Sequence, residues 1–430
     1  MRASHVTMWV AVVVFVVAYG LIASEKVNRV VAALAGAGVM LAVGIVGPSD
    51  VFFSEETGID WNVVFLLFGM MVIVGVLRQT GVFEFVAIWA AKRARGRPFR
   101  VMTLLCLITA VASAGLDNVT TVLLIAPVTL LVCERIGVRP VPFLIAEALA
   151  SNIGGTATLV GDPPNLIVAS RAGLTFNDFL VNLAPLVVVL LAAFVAISRV
   201  LFRRDFEADP DQVAEVMELN EREAIRDPRL LVRSLVVLAA VLAAFSLHAV
   251  LHLEPSVVAL LGAGLLVAIS GLKPQTYLAD IEWETLLFFA GLFILVGALV
   301  KTGAVGHLAD GLAVATGDSP DRAMLLLLWG SAVLSAVVDN IPYVATMAPV
   351  VEQLVRQGPL AGNQGLWWAL LLGADLGGNA TAVGASANVV VTGIAKRHGH
   401  PISFWQFTRY GSAVAAMTLL VATPYLLLRY

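Results

Sequence analysis

Charge is scarce in this chain: Asp, Glu, Lys and Arg make up 13% of its 430 residues, about half the share of an ordinary soluble domain. So few charges cannot cover a large water-facing surface, which excludes a soluble helical protein. Cysteine is nearly absent too. Cys106 and Cys133 are the only two, so neither a disulfide framework nor a thiolate metal cluster is expected. No Gly-x-x-x-x-Gly-Lys-Ser/Thr run occurs, which excludes ATP hydrolysis through a P-loop, and the lack of His-Glu-x-x-His argues against a zinc protease. Val160-Gly161-Asp162 lacks the preceding glycine of the intramembrane aspartyl protease motif. The chain is therefore not expected to be an enzyme. No metal or cofactor is expected, beyond H+ or Na+ as a coupling ion, and no nucleic-acid partner.

What fills the chain instead is apolar sequence: 59% of residues are hydrophobic and the mean hydropathy is +0.91. Many runs approach the ~18–20 residues that cross a bilayer. The expectation is an all-α polytopic membrane protein. Spans are expected at 8–24, 28–46, 62–78 and 181–200, and again at 232–250, 255–271, 284–300 and 411–428. Interfacial helices are expected at 81–95 and 303–316. The first segment has a weak basic start and no convincing cleavage site, and is read as a retained helix rather than a signal peptide.

The two halves share a text. Asp117-Asn118 returns as Asp339-Asn340, Pro127 as Pro349 and Gly69 as Gly291, all at an offset of 222. Gly154-Gly155-Thr156-Ala157-Thr158 through Gly161-Asp162-Pro163-Pro164-Asn165 returns as Gly377-Gly378-Asn379-Ala380-Thr381 through Gly384-Ala385-Ser386-Ala387-Asn388, at an offset of 223. The matched residues are the rare ones, so chance is a poor explanation. This divides the chain into a first repeat, 1–200, a cytoplasmic linker, 201–231, and a second repeat, 232–430. Segments 101–133 and 323–353 carry Asp-Asn near their middle and read as re-entrant hairpins. Segments 141–170 and 367–394 read as broken helices. Such backbone is tolerated at membrane depth only where protein or a water-filled cavity surrounds it.

Charge placement sets an orientation. With the basic linker inside, 21 of the 27 Lys and Arg residues fall on the cytoplasmic side and 6 outside, as the positive-inside rule requires. With five crossings per half, the second repeat is inverted relative to the first. One hairpin then enters from each side, and both termini lie outside. The linker could form a short cytoplasmic helix. A multi-pass protein of the cell membrane is expected.

Ionisable residues within apolar spans are expensive and mark function. Asp117 and Asp339 sit at the expected hairpin tips, with Asn118, Thr120, Thr121, Asn340 and Thr346 supplying neutral oxygens. Such a set suits a hard cation; a carboxylate with a raised pKa would suit a proton instead. Both Asp residues also suit capping of the hairpin helices. Glu147, Asp162 and Asp375 are the other intramembrane acids, and Asp117, Asp339, Glu147 and Asp375 are the proton-coupling candidates. Asp162-Pro163-Pro164 can open a half-helix whose positive end faces the site. The second copy has Ala385-Ser386 there, so the halves differ in charge.

These stretches resemble the ion transporter superfamily, in the branch that holds ArsB-type arsenite pumps, NhaD-type sodium/proton antiporters and the P protein, with ArsB-type arsenical pump membrane proteins closest. The resemblance spans nearly the whole chain. It implies a scaffold and a moving transport domain, an elevator-like motion and a homodimer. It also implies one half-site from Asn118, Thr120, Gly155, Thr156 and Asn165, and another from Asn340, Thr346, Gly378, Asn379, Thr381 and Asn388. Related dicarboxylate symporters carry Ser-Asn-Thr at the hairpin tips; Asp-Asn stands here, which favours a cation- or proton-coupled role. The expected function is secondary active efflux of arsenite or antimonite, driven by the proton gradient or membrane potential. A Na+/H+ antiporter, a sodium- or proton-coupled carboxylate or other anion transporter, and an anion channel are the alternatives. The expected partners are a small ion as substrate, the lipid bilayer and a cytosolic ATPase docked on the chain.

Overall fold

The computed structural model describes residues 2–24, 26–203, 206, 220–317, 319–356 and 360–430. These form α-helices joined by short turns, and no strand occurs among them. Eight helices are long and apolar enough to span a bilayer, among them Trp61–Arg78, Ala184–Leu201, Trp283–Lys301 and Phe404–Arg429. The short cytoplasmic helix expected in the linker falls largely on residues 207–219, outside the described residues.

Two kinds of apolar helix occur. Arg2–Ser24 leaves Val6, Trp9, Val13, Val16 and Val17 more than half exposed. In a chain with this many apolar helices, such a band is the surface that hydrocarbon covers. Trp61–Arg78 is apolar on nearly every side and buried from Leu66 to Leu77 apart from a part-buried Phe68, as a helix inside the bundle should be. It starts where Asp60 accepts the Val63 N–H at 3.2 Å and stops before Gly81, at φ +80.

Small residues let the central helices touch. A Cβ added to Gly69 would lie 2.8 Å from the backbone of Ala259, on Pro255–Ser270. One added to Gly291 would lie 2.9 Å from Ala33, on Arg29–Ala42. Each half thus lends a glycine helix to the other half's short helix, a close approach typical of membrane helix pairs. Gly297 is tighter still: its Cβ would sit 1.8 Å from the Thr57 carbonyl oxygen. Gly297→Ala is therefore expected to destabilise the protein by about 1–3 kcal/mol, seen as a lower melting temperature in detergent. Gly311→Ala, with open space around the new methyl, should match or slightly exceed the parent. Equal melting temperatures for both variants would contradict this packing.

The segments expected as re-entrant hairpins are helix pairs, and both helices of the first pair, Pro98–Leu116 and Asn118–Arg135, are long and apolar enough to cross a bilayer. Pro98–Leu116 turns into Asn118–Arg135 through the single residue Asp117. Pro320–Ser335 and Asn340–Arg356 are separated by four residues, 336–339, so the two tips differ. The broken helices are also present: Pro140–Gly155 restarts as Pro163–Ala172, and Gly365–Gly378 restarts as Ser386–Arg397. Elsewhere the helix bounds depart modestly from expectation. The 28–46 span is helical only over Arg29–Ala42, because Gly44 turns at φ +76. The last span begins earlier, at Phe404, where Ser403 caps the Gln406 N–H.

Each break is built the same way. The Gly155 and Gly161 backbones touch, leaving room for no Cβ: one added to Gly155 would lie 2.5 Å from the Gly161 oxygen. Gly378 and Gly384 repeat this at 2.7 Å. The unwound carbonyls still need donors. Asn165 Nδ2 donates to the Gly155 and Thr158 oxygens, at 3.1 and 2.7 Å. Asn388 Nδ2 donates to the Gly378 and Thr381 oxygens, both at 2.9 Å. The restarts share one extended geometry: φ −145, ψ 136 at Asp162 and φ −147, ψ 144 at Ala385.

Candidate functional site

Hydroxyls fasten each hairpin to its broken helix. Ser113 Oγ donates to the Ser151 carbonyl at 2.8 Å, and Ser335 Oγ to the Ala374 carbonyl at 2.7 Å. Thr158 and Thr381 donate to the Ala114 and Ala336 carbonyls. The tips and the unwound stretches are thereby held together within each half.

The two halves then meet at one carboxylate. Asp162 Oδ2 accepts from Asn118 Nδ2 of the first hairpin at 2.6 Å and from Asn340 Nδ2 of the second at 3.4 Å. Asn152 forms the other junction. Its Oδ1 accepts from Asn118 at 3.1 Å, and its Nδ2 donates to Asn379 Oδ1 and Asn388 Oδ1 of the second half, both at 2.9 Å. Asn118, Asn152, Asp162, Asn340, Asn379 and Asn388 are each at most 1% exposed. Asp375 stands close to Asp162 and beside Thr156. The Thr156 hydroxyl donates to the Asn152 carbonyl instead, so neither Asp375 oxygen has a donor.

This centre is short of donors. Asn118 Oδ1, Asp162 Oδ1, Asn165 Oδ1 and both Asp375 oxygens are buried without a hydrogen-bond partner, against one unpaired donor group, Asn379 Nδ2. Unpaired buried acceptors cost free energy until a donor, whether water, a proton or a cation, reaches them. Two carboxyls and several amide oxygens supply what a proton or a small monovalent cation requires. Among the described residues no trio of His, Cys, Asp or Glu side chains is arranged to hold a metal ion.

The other expected site residues divide. Asp117 does not join the Asp162 cluster. Its carboxylate accepts the Thr120 N–H at 2.8 Å, and it turns the hairpin at φ +135, a backbone region that a non-glycine residue occupies only under strain. Asn118, one residue on, supplies the centre. The Thr120 and Thr121 hydroxyls are buried without partners. Thr346 bonds back to the Pro342 carbonyl in its own helix. Glu147 accepts the Thr129 hydroxyl, lies near Cys106 and Cys133, and shares no partner with the Asp162 cluster. Asp339 is held by the Ile341 N–H at 3.0 Å, the Ser386 hydroxyl at 2.5 Å and Arg29 at 3.8 Å.

Two important residues carried little sequence signal. Asn152 aligns with Asp375 across the repeat and lies in the Ser151-Asn152-Ile153-Gly154-Gly155 stretch of the family resemblance, yet no local pattern marks it as the bridge between the halves. Arg29 aligns with Leu251 at the offset of 222, and that mismatch was the available clue.

Comparisons with known proteins establish the family and the fold. The family described as citrate transporter, CitMHS, matches residues 19–373. An uncharacterized transporter of Mycobacterium tuberculosis is 59% identical over 98% of both chains. The P protein of Homo sapiens is 33% identical over 96% of this chain, which spans 59% of that protein. The crystal structure of the Alcanivorax borkumensis YdaH transporter aligns with a TM-score of 0.58 at 14% identity, covering 98% of this chain and 97% of that one, and shares the fold.

Proposed function

The chain belongs to the CitMHS citrate transporter family, and from that premise we propose a secondary active transporter that moves a small carboxylate-bearing anion with protons or Na+. The observation that carries the coupling is the donor-poor centre around Asp162 and Asp375. It is built from both halves, and its unpaired atoms are almost all acceptors. The family description carries the solute class. Asp162, Asp375, Asn118, Asn152, Asn340 and Asn379 hold the coupling ion, while Asn165 and Asn388 keep the unwound backbone open beside it.

The halves are inverted repeats in this reading, and the site is reached alternately from the two sides of the cell membrane by an elevator-like motion, in a homodimer. Binding energy distributed over both hairpins ties site occupancy to that motion. Arsenite efflux is a second reading, with one observation in its favour. Arsenite is mostly a neutral trihydroxide at neutral pH, and its three O–H groups would suit the unpaired oxygens.

A solute panel in proteoliposomes separates these readings. Labelled citrate and arsenite are presented under imposed proton, sodium or no gradient. Citrate is expected to accumulate above equilibrium only with a gradient. Gradient-driven movement of arsenite without citrate would replace the first reading with the second. Sodium-dependent proton movement without either solute would make the protein an antiporter.

A further inference from the structure

Arg29 occupies an unusual place. It is the first residue of Arg29–Ala42, where the positive end of a helix disfavours a cation. Its support comes from other elements. Nη1 donates to Ser386 Oγ at 2.8 Å and lies 3.8 Å from Asp339 Oδ2; Nη2 donates to Thr285 Oγ1 at 3.4 Å. The guanidinium stacks 5.3 Å from the centre of the Phe288 ring. The Arg29 side chain is 31% exposed and that of Asp339 17%, so the pair reaches the protein surface while the Asp162 cluster is buried. Tyr19, Tyr343, Glu282, Glu284 and Asp162 are the other titratable groups around the pair, and none of them is a cation that could replace Arg29.

We propose that Arg29 is the anion-holding residue: it binds the Asp339 carboxylate in the described state, and exchanges it for a carboxylate of the transported solute when Asp339 takes up a proton. The inference rests on the reading of the solute as a carboxylate. Asp339 and Ser386 together show what Arg29 is shaped to receive, namely one carboxylate oxygen shared with a hydroxyl. The exchange conserves charge. One proton neutralises Asp339 as one solute carboxylate arrives, and both leave together on the other side when Asp339 loses its proton and recaptures Arg29. The geometry therefore links one proton to one anionic group through the same guanidinium.

The test uses the full chain in proteoliposomes with labelled citrate. Arg29→Gln is expected to raise the KM for citrate at least about tenfold, the size of losing a charged hydrogen-bond partner. Arg29→Lys should recover part of that loss. Asp339→Asn, a stand-in for the protonated acid, should bind citrate as well as or better than the parent. Its uptake should depend less steeply on pH than the parent's and should accumulate less citrate at the same gradient, the Asp162 centre being intact. Size-exclusion profiles and melting temperatures separate these effects from misfolding, and the Lys variant retains the cation if the Gln variant fails to fold. Parent-like KM and pH profile in Arg29→Gln would overturn the proposal alone. A parent protein that moves arsenite or exchanges Na+ for H+ but carries no carboxylate would overturn the underlying reading, and the proposal with it.

Discussion

Asp162→Asn is expected to abolish gradient-driven transport while leaving a folded, monodisperse protein. Asp162 is the one carboxylate that accepts from both hairpins, through Asn118 and Asn340. An amide keeps the shape of the side chain but removes the charge, and it can present a donor to the two amides that now donate to it. Losing hydrogen bonds to an ionised partner costs about 1.5–3 kcal/mol each, about 3–6 kcal/mol for the two, so flux at subsaturating solute should fall by at least about 100-fold. Asp162→Glu keeps the charge and should retain measurable coupling. Initial uptake rates with matched protein density in the liposomes decide the matter. Parent-like accumulation by Asp162→Asn would remove this carboxylate from the mechanism.

Asp375→Leu should move stability and activity in opposite directions. Both Asp375 oxygens are buried without a donor, in a helix segment, Gly365–Gly378, whose residues are all buried. Replacing an uncompensated buried acid with an apolar side chain of similar size relieves its desolvation, an effect of about 1–4 kcal/mol in comparable cases. The variant should melt several degrees higher than the parent in detergent and carry no coupled flux. Such a trade marks residues kept for function at the expense of stability. A less stable variant, or a more stable one with intact coupling, would show that Asp375 has satisfied partners in the working protein.

Much of this arrangement was legible in the sequence because polar residues in apolar spans are costly enough to stand out. Asp162, Asp339 and Asp375 announce themselves that way, and paired glycines mark both breaks. The asparagines at positions 165 and 388 were legible as a pair, though their work of satisfying freed carbonyls depends on the path of the unwound chain. Other features depend on how the halves cross, which no local pattern encodes. Asn118 and Asp117 are neighbours, yet one feeds the centre and the other caps a hairpin, because the turn at Asp117 sends their side chains to different partners. Arg29 disappears in the sequence among the lysines and arginines that the positive-inside rule assigns to the cytoplasmic side. Only its contacts with Asp339, Ser386 and Thr285 separate it from them. The asymmetry between the copies follows the same lines: Asp162 against Ala385, Glu147 against Leu370 and Arg29 against Leu251. The two halves share a scaffold and divide the chemistry.

The central claim is that the shared centre couples solute movement to a cation. Its most direct measurement records proton and sodium fluxes together with solute flux in one proteoliposome preparation, using a pH-sensitive dye, a sodium indicator and labelled solute. The account predicts proton or sodium entry in fixed ratio to solute entry in the parent, and loss of that ratio in Asp162→Asn. Solute flux in the parent that ignores both gradients and moves neither cation would contradict it and mark a passive pathway.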